Sequence, residues 1–148
     1  MITETTTNPV ARIHQRIAAL IPEAAIALLM RIGIAVPFFL SGRTKVDGVL
    51  TVKDSTFYLF AEEYRVPLLP SDLAAYAATW AEHALPVLIV LGLMTRPAAF
   101  GLLAMTVVIQ LFVIPAGWPT HLLWLAPLAY LIARGPGAMS LDRMLRLD

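Results

Sequence analysis

Residues 23–42 read EAAIALLMRIGIAVPFFLSG, twenty positions with ionisable side chains only at Glu23 and Arg31. At 1.5 Å per residue this helix would be about 30 Å long, the thickness of a bilayer's hydrocarbon core. Apolar side chains fall all round it rather than on one stripe, so no face is left for water. The stretch predicts a membrane-spanning helix. Three further segments repeat its character, residues 72–94, 97–115 and 118–134, the last being the shortest. The expected fold class is all-α: an integral membrane four-helix transmembrane bundle forming a single domain over residues 1–148.

Composition agrees. Hydrophobic residues make up 59% of the 148 positions and charged ones 14%, and the mean hydropathy is +0.75. Soluble domains carry about 45–50% apolar and about 25% charged residues, so too few polar groups are present to coat a soluble protein of this size. The net charge of +1 offers no basic field for nucleic acid. With no cysteine, the chain has no thiolate metal site, iron–sulfur ligand or CxxC motif. No metal motif of the HExxH kind, phosphate loop, dinucleotide fingerprint or nucleophile elbow occurs either.

Punctuation separates the segments. Ser71 stands where it could cap the second helix after Pro70. Thr95-Arg96-Pro97 and residues 115–119 read as tight turns, and Gly135-Pro136-Gly137 stops the fourth helix. Pro37, Pro86 and Pro127 lie inside spans as expected kinks. The N-terminal stretch does not read as a cleaved signal peptide. There, Val10, Ile13, Ile17 and Leu20 share one helical face beside Arg12, Gln15 and Arg16, the pattern of a short basic helix on a membrane surface. The long connection from Arg43 to Ser71 carries Phe57, Phe60, Ala61 and Tyr64 at helical spacing. It predicts a short amphipathic helix in the first outer loop, resting on the bundle or acting as a lid.

Lys and Arg in the loops set orientation. Arg12, Arg16, Arg96, Arg134, Arg143 and Arg146 fall on one side, against Arg43, Lys45, Lys53 and Arg65 on the other. Both termini are therefore expected in the cytoplasm.

Ionisable groups inside a span cost roughly 2.5–3.5 kcal/mol each, which marks them as functional candidates. Counting from the helix starts puts Arg31 about 12 Å and Glu82 about 15 Å from opposite membrane edges. The matching depths predict a buried Arg31–Glu82 ion pair, which would either fix helix register or hold Glu82 ionised for proton handling. His83 adjoins Glu82, about 100° away round the helix, and serves as a core hydrogen-bonding residue or a ligand. Gln110, about 20 Å into the third span, joins His121 and Trp124 at the start of the fourth, and Ser41, Arg43 and Lys45 at the end of the first. Together they predict a polar cavity in the outer half of the bundle with Glu82 at its floor. Trp118 suits an interfacial belt, and Arg43 and Lys45 could instead snorkel to headgroups.

The assembled motifs resemble the DoxX family of small bacterial membrane proteins. They are Arg31-Ile32-Gly33, the FFLSGRTK stretch at 38–45, YRVPLLP at 64–70, Glu82 with PVLIVLGLMTR at 86–96, Trp118 with HLLW at 121–124, Gly135-Pro136-Gly137, and Ser140-Leu141-Asp142. The resemblance implies a four-helix protein of the bacterial inner membrane. Some relatives look like subunits of a thiosulfate:quinone oxidoreductase, and others sit in membrane complexes handling oxidative or thiol stress. Two functional readings follow. One is a quinone-linked oxidoreductase or its membrane subunit, with Glu82, His121 and Arg31 as catalytic candidates and Lys45, Gln110, Trp124 and His83 around the quinone. The other is a non-enzymatic anchor or assembly partner that holds a soluble redox or metal-handling protein through the loop from Lys45 to Pro70. A channel or transporter is disfavoured, because four short helices lack broken-helix symmetry. The lipid bilayer and a soluble or membrane redox protein are the expected partners, and alanine-rich faces are compatible with a homodimer.

Overall fold

The computed structural model describes residues 8–49, 51–67 and 69–147. The polar residues 1–7 and Leu68 of the 64–70 motif lie outside them. The chain opens with α1 (Pro9–Leu20), whose first turn is capped by the Asn8 side chain accepting from Val10 N–H at 3.0 Å. Val10, Ile13, Ile17 and Leu20 are all more than half exposed along it.

The bundle consists of α2 (Glu23–Thr44), α4 (Ser71–Leu91), α5 (Thr95–Val108) and α6 (Trp118–Arg134). Among the described residues, three helices are long and apolar enough to cross a membrane: Glu23–Thr44, Ser71–Leu91 and Thr95–Val113, the last counting a π-helical turn at its end. The 17-residue α6 packs against α5 and α2. Pro37, Pro86 and Pro127 lie within their helices. Ser71 does not cap α4. The helix begins directly after Pro70, with no side-chain cap bond.

Burial follows the logic of lipid rather than water. Ile34, Phe38, Ile89, Leu102, Leu128 and Leu131 fill the centre. The outward faces are equally apolar, with Leu29, Phe100 and Leu123 each at least 64% exposed. Such faces suit a bilayer and would be a liability in water.

The α2–α4 connection is structured. A two-stranded antiparallel ribbon, β1 (Val46–Asp47) with β2 (Thr51–Val52), pairs Val46 with Val52. The short α3 (Asp54–Tyr58) follows and runs into a π-helical turn, Leu59–Tyr64. Phe60 of that turn is buried against Ala74 and Ala75 of α4, which seats the connection on one end of the bundle. The C-terminal segment crosses the other end and finishes in α7 (Leu141–Leu145), capped by Ser140.

Two glycines fix how α2 and α4 run past each other. A Cβ on Gly42 would stand 2.9 Å from the His83 ring and 3.0 Å from the Glu82 Cβ. Gly92, at φ +67° in the turn after α4, leaves room for Ser140 and the Arg31 guanidinium. Gly42 therefore opposes Glu82, and Arg31 opposes Gly92. Glu82 and Gly92 are ten residues apart, about 15 Å along the helix direction.

Candidate functional site

That register overturns the expected Arg31–Glu82 pair. Arg31 sits where α4 ends, and its guanidinium donates only to backbone carbonyls. Nε reaches Ile89 O at 2.8 Å, and Nη1 reaches Met139 O at 2.5 Å and, more weakly, Pro136 O at 3.4 Å. Nη2 donates to Val90 O. A cation at a helix C-terminus meets unpaired carbonyls and the negative end of the dipole, which compensates its burial without any carboxylate contact. The depth count failed because it set the first residue of each helix at a membrane edge. In fact the first turns of α2 extend past the end of α4.

Glu82 instead pairs with Lys45. The Lys45 ammonium lies 2.6 Å from Glu82 Oε2, and the two side chains are only 8% and 4% exposed. Lys45 therefore does not snorkel to headgroups. It turns back along α2 and also donates to the Ser41 hydroxyl at 3.0 Å and the Ser41 carbonyl at 3.4 Å. Its three protons are thus all directed into protein, and Glu82 Oε1 keeps only a 3.4 Å contact from Ser41 Oγ. Thr56 of α3 donates to the Lys45 carbonyl at 2.9 Å and ties the connection to this point.

The pair forms one wall of a cavity of about 400 Å³. Its other walls are nearly all apolar: alanines of α4 and α5, Met105 and Val108 of α5, Ile109 of the π-helical turn that follows it, and Phe60, Val66 and Leu69 of the connection. The polar groups bordering it are Ser41, Lys45, Glu82, Tyr64, His121 and Trp124. Tyr64 comes from the π-helical turn of the connection and packs edge-on against Phe60, centroids 5.1 Å apart. Its burial first, then the negative charges of Glu82 and Glu63, push the phenol above its ordinary pKa, so Tyr64 stays protonated through neutral pH.

His121 and Trp124 enter from α6, rings 5.1 Å apart, with Trp124 leaning on Phe38 at 5.0 Å. Behind His121, Nδ1 lies 2.6 Å from Gln110 Oε1, and Gln110 Nε2 donates to Pro115 O at 2.8 Å. Gln110 sits in the π-helical turn ending α5 and supports the site without bordering the cavity.

Of the residues singled out from sequence, Glu82, Lys45, His121 and Trp124 meet at this cavity, and Gln110 stands directly behind it. Arg31 stands apart from it, at the far end of the bundle. His83 points into the α2–α4 interface, where Nδ1 donates to Thr79 O at 2.7 Å and the ring meets Phe39 edge-on. Its Nε2 is buried without a partner in that interface. Ser41, expected in the cavity from sequence, borders it as well, and Tyr64 of the connection completes the site. Ser41 and Lys45 are four residues apart, one helical turn, and that spacing is the sequence signal for their contact. Among the described residues, no group of three or more His, Asp or Glu is placed to hold a metal ion.

Residues 26–115 match the DoxX family model. The chain belongs to the DoxX family. The match takes in Ser41, Lys45, Tyr64, Glu82 and Gln110 and stops before α6, so a DoxX core supplies most of the cavity while His121 and Trp124 come from the segment after it. No curated protein and no solved structure matches the chain.

Proposed function

We propose that this DoxX protein is a quinone-linked membrane oxidoreductase or the membrane subunit of one, with the cavity as its binding site. The observation carrying this reading is the Lys45–Glu82 pair on the wall of an otherwise apolar, 400 Å³ cavity. Burying two charges is costly even when they are paired, and a membrane protein gains nothing by doing so beside an empty apolar space. A ligand with an apolar body and an oxygen-bearing head fits that combination. The volume suits a single substituted ring, and Trp124, Met105 and the alanines offer it flat apolar walls. A bound quinone would supply the two-electron chemistry. The chain would position its ring, exclude water, and hold protons at Glu82 and His121 beside its oxygens.

In the same reading, α2, α4, α5 and α6 are four spans in the inner membrane, and the arginine-rich loops place both termini in the cytoplasm. The cavity then lies in the half of the bundle facing away from the cytoplasm. The anchor reading draws on a different observation: Val49 at the ribbon tip is 77% exposed and Tyr58 is 66% exposed, apolar groups offered on the connection. A soluble redox partner docking there would sit above the cavity, so the two readings combine in a subunit that passes electrons to or from such a partner.

The test is binding of a short-tailed benzoquinone to detergent-purified protein, wild type against His121→Ala and Glu82→Gln. Saturable binding that both substitutions weaken in folded protein supports the site. Absence of binding by the wild type removes the quinone reading and leaves the anchor reading, to be pursued by capturing a partner on the connection.

A further inference from the structure

Away from the cavity, the end of the bundle around Arg31 carries two exposed surfaces of the same chemistry. The first is α1. Val10, Ile13, Ile17 and Leu20 fall within about 80° of one another round that helix, and each is more than half exposed. Arg12 and Arg16 flank this face, Gln15 lies opposite it, and no acidic residue occurs from Pro9 to Leu20. The second is the C-terminal segment. Gly137 lies against α2, where an added Cβ would stand 2.6 Å from the Ala27 Cβ, and Asp142 caps α5. Both contacts hold the segment at the end where α2 begins. Beyond them Met144, Leu145 and Leu147 are 77%, 59% and 62% exposed, beside Arg143 and Arg146.

Charge separates the two ends of the molecule. At this end the exposed arginines are Arg12, Arg16, Arg96, Arg134, Arg143 and Arg146, and Glu23 is the one exposed acid among the described residues. The connection at the other end exposes Asp47, Asp54, Glu62, Glu63 and Asp72 against Arg43 and Arg65. Arginines interleaved with exposed apolar side chains match a layer that is anionic at its surface and apolar just beneath. Position selects the same partner. Leu20 is three peptide steps, at most about 11 Å, from Glu23, the first residue of a helix able to span a membrane. The apolar face of α1 therefore starts beside the level where α2 enters the bilayer. A second copy of the chain docking here would bring one set of arginines against another, which like-charge repulsion opposes.

We infer that α1, the C-terminal segment and the arginines at the neighbouring helix ends form a collar that binds the headgroups of anionic phospholipids, with α1 lying in the membrane plane and Ile17 directed towards the acyl chains. The apolar side chains set the depth of α1. The arginines, whose long stems allow them to snorkel, meet the lipid phosphates with charge-assisted hydrogen bonds. The collar is independent of the cavity and of any quinone.

The chain has no cysteine, so a single cysteine introduced at Ile17 or at Gln15 can carry a nitroxide label in the full-length protein. The label is read by electron paramagnetic resonance in vesicles of equal parts phosphatidylcholine and phosphatidylglycerol. Oxygen, which concentrates among acyl chains, should relax the Ile17→Cys label. A water-soluble nickel chelate should relax the Gln15→Cys label, two residues and about 200° away round the helix. Labels open to nickel at both sites overturn the inference. An Ile17→Cys label shielded from both reagents overturns it too, since protein rather than lipid then covers the face. Headgroup preference is read from the share of spin-labelled phosphatidylglycerol, against spin-labelled phosphatidylcholine, that wild-type protein holds motionally restricted. The anionic lipid should be enriched about twofold or more, less than the roughly fivefold expected of one arginine at an anionic surface, because the average includes lipid away from the collar. High salt should lower the enrichment, and so should Arg16→Gln combined with Arg134→Gln, two exposed positions outside the cavity. Equal association of the two lipids with the wild type, or an enrichment that the double variant leaves unchanged, overturns headgroup binding by this collar.

Discussion

At the end of α4 the Arg31 guanidinium is enclosed by four backbone carbonyls, of Ile89, Val90, Pro136 and Met139. Ten residues back along the same helix, Glu82 and Lys45 are as deeply buried, yet they border open space. Every guanidinium nitrogen of Arg31 is matched by a backbone carbonyl. Asp142, on the same C-terminal segment, accepts from Met94 N–H at 2.7 Å and Thr95 N–H at 2.9 Å, capping the start of α5. Around Glu82 the matching is incomplete, with Oε1 held by one long contact. A centre whose bonds all go to backbone joins secondary-structure elements together. A centre that keeps an acceptor free beside a cavity is placed to meet a ligand. Two buried charges of similar cost in the sequence thus carry different work.

Substitutions at four positions probe this contrast. The largest effect is expected from Arg31→Leu, which leaves several carbonyls unsatisfied at the junction of α2, α4 and the C-terminal segment. The loss should be about 4 kcal/mol or more, read as a collapse of the thermal unfolding temperature or of membrane level. A folded Arg31→Leu protein that has lost only ligand binding would reverse the assignment of the two centres. Next, Lys45→Met should cost about 3–5 kcal/mol by stranding Glu82. The double change Lys45→Met with Glu82→Leu should recover most of that stability and none of the ligand affinity. A double variant as unstable as the single would make the pair a structural element like Arg31. Asp142→Asn should cost about 1 kcal/mol through the weakened α5 cap, with ligand affinity unchanged. The smallest effect is on Tyr64. Its phenol should titrate above the ordinary tyrosine value in tyrosinate absorbance, and Glu82→Gln should lower it again by removing one of the charges that oppose ionisation. No response to Glu82→Gln would place Tyr64 outside the electrostatic reach of the cavity pair.

How far these features could be read in advance varied with the physics behind them. Apolar stretches matching a bilayer's thickness identify spanning helices without any tertiary information, and proline and glycine mark their ends. The polar residues at Glu82, His121 and Lys45 were legible as a group because each is anomalous against apolar surroundings. Their partners were not. Counting depth from helix ends paired Arg31 with Glu82, because the count carries no information on how far one helix slides along another. That sliding is set by contacts such as Gly42 against the His83 ring, which depend on the shapes of both faces. His83 and Gln110 changed rank for a similar reason. A rotation of about 100° separates neighbouring helix positions, which takes His83 out of the cavity, while a π-helical turn at the end of α5 brings Gln110 behind His121.

The sequence alone determined that this protein lives in a membrane as a helical bundle, that it has no cysteine chemistry, and that a few polar groups would be costly enough to require partners. Those properties depend on composition and on spacing along one chain, and hydrophobic transfer acts on each segment by itself. Tertiary structure alone decided that Arg31 joins helix ends and that Lys45 is the partner of Glu82. It also decided which polar side chains border the cavity. Hydrogen bonds are directional and reach only about 3 Å, so their pairing follows from helix register and rotation, which only the packed bundle fixes.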